Sequence, residues 1–202
     1  IRVHLQDTPK FRQMEEALEK REVENKVPIH DLLGKYRAKV IIAFGVTCLN
    51  AVAFYTILSY MPTYLSAELG MTEQSSFIAS TISLVTYIGF IFLMGELSDR
   101  FGRKTMLVSA SILFMLLAVP LFSMLDHGAF ITILLIQIAF GALLSMNDGT
   151  LASFLSEIFP TKVRYSGFAF SFNSANALFG GTAPFIATWL ISVTGNKLAP
   201  AW

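Results

Sequence analysis

The sequence predicts an all-α integral membrane protein built as a bundle of five membrane-spanning helices. Three observations carry that expectation. Hydrophobic residues make up 54% of the chain and charged ones only 14%, against roughly 25% charged in ordinary soluble domains. The charges are also segregated, with sixteen in residues 1–39 and thirteen in the other 163. Finally, five windows (40–67, 74–95, 105–125, 127–147 and 165–196) contain no Asp, Glu, Lys or Arg. Each exceeds the ~18 apolar residues that suggest a transmembrane helix. Fifteen Lys and Arg against fourteen Asp and Glu leave a net charge of +1, which gives no electrostatic case for nucleic acid. A lone Cys48 excludes an intrachain disulfide and any cysteine-based metal cluster.

Residues 1–39 read as a cytoplasmic linker with amphipathic helices, or as a solvated charged linker. Thr8-Pro9 is a helix start, and Phe11, Met14 and Leu18 then share an apolar stripe while Glu16 faces Lys20. Pro28 breaks the pattern, and Ile29, Leu32, Leu33 and Tyr36 form a second stripe leading into the first span. The bundle proper occupies residues 40–202, with helices near 40–65, 77–97, 106–125, 129–156 and 165–193. In the first, Tyr60 and Tyr64 flank Pro62, a kink position, close to the outer end where an interfacial aromatic belt is expected. The fourth contains Asp148, and its Gly141, Ser145 and Gly149 form a small-residue packing seam. The first 39 residues lack the apolar core of a signal peptide.

Basic residues set the orientation. The segment 1–39 and the loops 98–105 and 157–164 fall on one side and hold fourteen Lys and Arg; the other side holds only Lys197. The N-terminal segment is therefore expected to be cytoplasmic. An odd number of spans, ending soon after the turn Gly195-Asn196-Lys197-Leu198-Ala199-Pro200, predicts that a sixth helix follows in a longer protein.

Two cytoplasmic loops carry the most specific patterns. In Gly95-Glu96-Leu97-Ser98-Asp99-Arg100-Phe101-Gly102-Arg103-Lys104 a tight turn needs Gly102, and Asp99 is placed to pair with Arg103. In Glu157-Ile158-Phe159-Pro160-Thr161-Lys162-Val163-Arg164-Tyr165-Ser166-Gly167, Pro160 ends one helix, Thr161 can cap the next, and Gly167 permits close approach.

These loops resemble the signatures of the major facilitator superfamily between its helices 8 and 9 and its helices 10 and 11. The resemblance implies the C-terminal half of such a transporter: the central linker and helices 7 to 11, with the last helix missing. Arg2-x-x-Leu5-x-Asp7-Thr8-Pro9-x-Phe11 is similar to the linker start of the metabolite:proton symporter branch, with Asp7 where Glu is usual. Ser59–Ser66, Arg164-Tyr165-Ser166 and Phe179–Leu190 look most like proline/glycine-betaine osmolyte transporters. By that resemblance the expected activity is proton-coupled symport of a zwitterionic compatible solute, in a cell (plasma or inner) membrane, with the N-terminal half of the same transporter and the lipid bilayer as partners. No cofactor is expected beyond the proton gradient. Asp99, Arg100, Arg103, Glu157 and Arg164 are then a cytoplasmic latch, with Glu157 paired to Arg103 or Arg100. The plainer alternative is topology and turn formation alone.

Asp148 lies nine positions before Glu157, roughly 13 Å from the cytoplasmic end of its helix. Carboxylates at that depth are costly and usually face a bundle interior or water. Gln137, Gly141, Leu144 and Asp148 recur at i, i+4, i+7, i+11 and share a face, with Asn147 beside it. Asp148 is expected to contact the cationic group of a solute or a coupled proton, or else to be a structural carboxylate. Asn50, Phe54 and Tyr55 put an aromatic wall beside an amide, suited to a quaternary ammonium or a sugar ring. Asn173 and Asn176, one turn apart, bond either across helices or to solute. His4, His30 and His127 have no ligand spacing, and no catalytic or metal motif is visible. A sugar porter is the second reading, since Asn50-x-x-x-Phe54-Tyr55 approximates that group's helix-7 pattern without its paired glutamines. A shikimate- or ketoacid-like carboxylate symporter, which wants a basic residue inside a span, is the third. A membrane scaffold or transport-dead sensor is the competing class.

Overall fold

The computed structural model describes residues 28–126 and 128–201, and among these every regular element is helical. A short helix, α1 (Pro28–Lys35), precedes five helices long and apolar enough to cross a membrane: Arg37–Ala67, Glu73–Phe101, Arg103–Leu125, Phe130–Ile158 and Thr161–Thr194. The number of spans and their order match the sequence expectation. Each extends up to four residues beyond the expected limits, because a charged residue ends an apolar window without ending the backbone hydrogen-bond ladder.

Of the second linker stripe, Leu32 is fully buried while Leu33 is 51% exposed. Leu32 docks into an apolar cluster with Val40, Ala43, Leu151, Leu155, Phe159 and Val163, which fixes α1 to the end of the bundle. The Thr8 start, the Phe11–Met14–Leu18 stripe, the Glu16–Lys20 pair, the Asp7 position, His4 and His127 lie outside the described residues, as do the side chains of Ile29 and His30.

The first span is continuous but not uniform. An α-helix over Arg37–Phe54 widens into a π turn at Tyr55–Tyr60 and returns to α over Met61–Ala67. Pro62 explains the position: its ring would crowd the Leu58 carbonyl and it has no N–H to donate. A wider turn relieves that crowding, so the expected kink is a π bulge. The fifth span repeats the device, with a π turn at Asn176–Gly180 shortly before Pro184.

The loops behave largely as their residues dictate. Thr72 caps the second span by accepting the Ser75 N–H at 3.3 Å. Gly102 takes φ 89° in the tight turn, a conformation that L side chains rarely adopt. Thr161 is not the cap expected of it; Thr161–Val163 is a 3-10 turn and the helix behind it starts at Arg164 without a side-chain cap.

The fourth span is the central helix. A Cβ at Gly149 would lie 2.8 Å from the Ile91 carbonyl oxygen and 3.0 Å from the Gly95 nitrogen, and one at Gly141 would lie 3.3 Å from Ser83. The small residues therefore form the seam against the second span, as expected. Two apolar clusters result. The larger one gathers Tyr60, Tyr64, Phe122, Phe140 and Leu144, and the smaller one is the cluster around Leu155. Tyr60 and Tyr64 are thus 5% and 0% exposed rather than belt residues; neighbouring helices cover them, and Tyr64 packs edge-on against Phe122. Between the clusters, at mid-span, lie Thr47, Asn50, Asn147 and Asp148. Outside, Phe92, Met115 and Ile41 present large apolar faces of the kind that lie against lipid or further helices.

Candidate functional site

The polar layer is organised by one carboxylate. Among the described residues Asp148 is the one charged residue placed deep within a span, about 15 Å from the end of its helix at Ile158. It is half-buried. The Asn50 amide donates to its Oδ1 at 2.6 Å and the Tyr87 hydroxyl donates to its Oδ2 at 2.6 Å. The donors come from the first and second spans, so a single side chain ties three helices together. Hydrogen bonds to an ionised acceptor are roughly twice as strong as neutral ones. Two of them offset much of the cost of holding a carboxylate at this depth.

Aromatic rings lie against this clasp. Phe54, 36% exposed, meets Tyr87 edge-on at 6.4 Å and Tyr55 edge-on at 5.8 Å between centroids. Asn50 is only 4% exposed, while Phe54 and Asp148 remain partly accessible. Each carboxylate oxygen accepts one hydrogen bond here and has a lone pair to spare. The arrangement can therefore take up a proton or face a cationic group whose other side rests on a ring.

Tyr87 was not among the residues singled out by sequence, although a signal existed. Ser76, Ser80, Ser83 and Tyr87 recur at i, i+4, i+7, i+11, the same spacing as Gln137, Gly141, Leu144 and Asp148. The two stripes face one another. Ser83 donates to the Gln137 backbone carbonyl at 2.8 Å and the Gln137 side-chain amide donates to Ser80 at 3.4 Å. These contacts lie some three turns from the Tyr87–Asp148 pair along the fourth span and one to two turns along the second.

The other expected residues divide. Asn50, Phe54, Tyr55 and Asp148 converge. Gln137 is fully buried between the second and fourth spans and lies away from the clasp. Asn147 is also fully buried, and neither of its amide atoms has a hydrogen-bond partner among the described residues. Asn176 donates to the Phe172 carbonyl of its own helix at 2.9 Å instead of reaching across, and Asn173 is exposed. Among the described residues no group of three His, Cys, Asp or Glu side chains is placed to hold a metal.

At the end of the bundle that carries these loops, three of the five expected latch residues come together. Arg103 donates to Asp99 at 2.6 Å and to Glu157 at 2.7 Å, linking the turn after the second span to the end of the fourth. Arg100 pairs with Glu96 instead, at 2.5 Å, and Arg164 donates to the Phe159 carbonyl at 3.3 Å. At the other end a set of contacts not read from sequence joins three spans. Lys197 pairs with Asp126 at 3.2 Å, Tyr64 donates to the Lys197 carbonyl at 3.1 Å, and Thr188 donates to the Tyr60 hydroxyl at 3.1 Å.

Residues 1–199 match the family described as sugar (and other) transporter. The chain is 33% identical, over its whole length, to the glycine betaine/proline/ectoine/pipecolic acid transporter of Dickeya dadantii (strain 3937), of which it covers 41%. It is 32% identical to the proline/betaine transporter of Escherichia coli (strain K12), again over its whole length and 41% of that protein. It is 30% identical to the citrate-proton symporter of Klebsiella pneumoniae, over its whole length and 44% of that protein. The chain thus spans less than half the length of these relatives. No solved structure matches it.

Proposed function

Because the chain belongs to the sugar (and other) transporter family of the major facilitator superfamily, we propose that it forms helices 7 to 11 of a proton-coupled symporter for a zwitterionic compatible solute such as proline or glycine betaine. The observation that carries this reading is the Asp148 carboxylate held by Asn50 and Tyr87 beside the ring of Phe54. An anionic group next to an aromatic face suits a solute whose recognised end is cationic.

In this mechanism ionised Asp148 accepts both donors and draws the first, second and fourth spans together. Protonation removes the charge, and one of the two donors loses its strong acceptor. The tie slackens, and the bundle rocks against the N-terminal half around a midplane site. The solute's ammonium lies against Phe54 and Tyr55, its carboxylate toward the other half. The Arg103 link to Asp99 and Glu157 holds the cytoplasmic ends in one access state. The protein sits in the cell (plasma or inner) membrane with residues 1–39 in the cytoplasm, which the basic loops favour.

A tricarboxylate substrate is the second reading, favoured by the likeness to a citrate-proton symporter. Against it, no Lys or Arg lies within the apolar part of any of the five spans. The deciding experiment is uptake of labelled glycine betaine by the full-length protein in proteoliposomes, with and without an imposed proton gradient, against excess proline, citrate or glucose. Gradient-stimulated uptake blocked by proline alone is the expected result. Block by citrate alone, or no betaine uptake, overturns the reading.

A further inference from the structure

The fifth span approaches the first at a point where it has no side chain. A Cβ at Gly180 would lie 2.7 Å from both Cδ2 and Cε2 of Tyr55, and 3.5 Å from the Ala51 Cβ. Two ring carbons at that distance leave no room for a methyl group. The ring of Tyr55 therefore occupies the volume that any other residue at position 180 would fill.

Both partners are placed by the π turns. Tyr55 is the first residue of the bulge in the first span, and Gly180 is the last residue of the bulge in the fifth. Gly180 is buried, while Tyr55 is only half-buried and its hydroxyl has no hydrogen-bond partner among the described residues. The ring is thus braced by bare backbone on one side and open on the other. From it the contacts run inward: Tyr55 to Phe54 at 5.8 Å, Phe54 to Tyr87 at 6.4 Å, and Tyr87 to the Asp148 carboxylate at 2.6 Å.

We propose that Gly180 is a specificity-determining residue, whose missing side chain lets Tyr55 lie back on the fifth span and leaves the aromatic wall wide enough for a trimethylammonium group. A methyl group at 180 pushes the ring toward its open side and narrows the space beside Phe54. A fully methylated ammonium suffers most from that narrowing, and the secondary ammonium of a five-membered ring suffers less. Gly180 touches no solute; it acts through the position of Tyr55. The role rests on the symporter reading given above.

The test uses the full-length transporter in proteoliposomes, as wild type, Gly180→Ala, Tyr55→Leu and the double variant, with KM and Vmax measured for glycine betaine and for proline. Gly180→Ala is expected to raise the betaine KM about five-fold relative to the proline KM. The two Vmax values change together. With Tyr55→Leu already present, the same substitution should move the KM ratio by less than about two-fold, since no ring remains to be displaced. An equal change in both KM values, or an undiminished effect in the Tyr55→Leu background, overturns the proposal. 3-Fluorotyrosine at position 55 separates this failure from failure of the transport reading. Its fluorine resonance should shift in Gly180→Ala, and an unchanged resonance overturns the contact whatever solute is carried. A wild type that moves neither solute overturns the osmolyte reading, and the specificity role with it.

Discussion

The phenol of Tyr87 and the carboxylate of Asp148, 61 residues apart, meet at 2.6 Å between the second and fourth spans. Asn50 takes the other carboxylate oxygen at the same distance. The three side chains therefore answer to one another, and mutating one changes what the others can do.

Tyr87→Phe should lower gradient-driven uptake about ten-fold, the order expected for one charge-assisted hydrogen bond. Asp148→Asn should abolish accumulation against a gradient. Adding Tyr87→Phe to Asp148→Asn should then cost little more, because groups that act as a unit are non-additive. Independent, multiplying losses in proteoliposome uptake would show that the hydroxyl and the carboxylate serve separate ends.

Among the described residues Arg103 holds two carboxylates and Arg100 one, that of its helical neighbour Glu96. Arg103 is partly buried but every carboxylate in these pairs is largely exposed, so each pair contributes about 1 kcal/mol or less to stability. Arg103→Ala is therefore expected to slow transport about five-fold, the size of a weak coupling between states, while barely moving the melting temperature. Arg100→Ala should have a smaller effect on rate. Initial uptake rates with parallel thermal melts make the comparison.

Gly149 meets backbone atoms of the second span, which cannot swing aside as a side chain can. Gly149→Ala should destabilise the purified protein by about 1–3 kcal/mol, as overpacking does. Gly45 has open space where a Cβ would lie, so Gly45→Ala serves as a control and should be neutral or slightly stabilising. Equal thermal melts for the two variants would contradict the close approach of these helices.

Sidedness is checked with a cysteine-free full-length protein, Cys48→Ser included. A cysteine at Lys197 should react with an impermeant maleimide from outside intact cells, and one at the exposed Lys104 only after permeabilisation. The reverse pattern would invert the topology.

Much of this was legible in local sequence. Charge-free windows mark spans because burying an unpaired charge in lipid is costly wherever it occurs, and no knowledge of neighbours is needed. The pairing of helices was not legible in the same way. The Ser76–Tyr87 and Gln137–Asp148 stripes share a spacing, but periodicity shows which residues share a face and not which face meets which. Gln137 was placed on the right face and lies three turns from the clasp. Tyr60 and Tyr64 stand near the end of their span, where tyrosines often meet the lipid headgroups, and only the packed neighbours reveal that they are core. The π turn at Tyr55–Tyr60 left one trace, Pro62, which marks a disturbance without giving its shape.

The layer of Thr47, Asn50, Asn147 and Asp148 divides the interior into two storeys that share no apolar side chains. Interlocked methyl groups resist sliding, because each must climb out of its socket before it can find another. A hydrogen bond can instead be handed from one partner to the next with little loss on the way. Every span runs through this layer, so neither storey can slide without the other. An exchange of partners at the carboxylate is the rearrangement that the interior can make at that depth without unseating an apolar side chain.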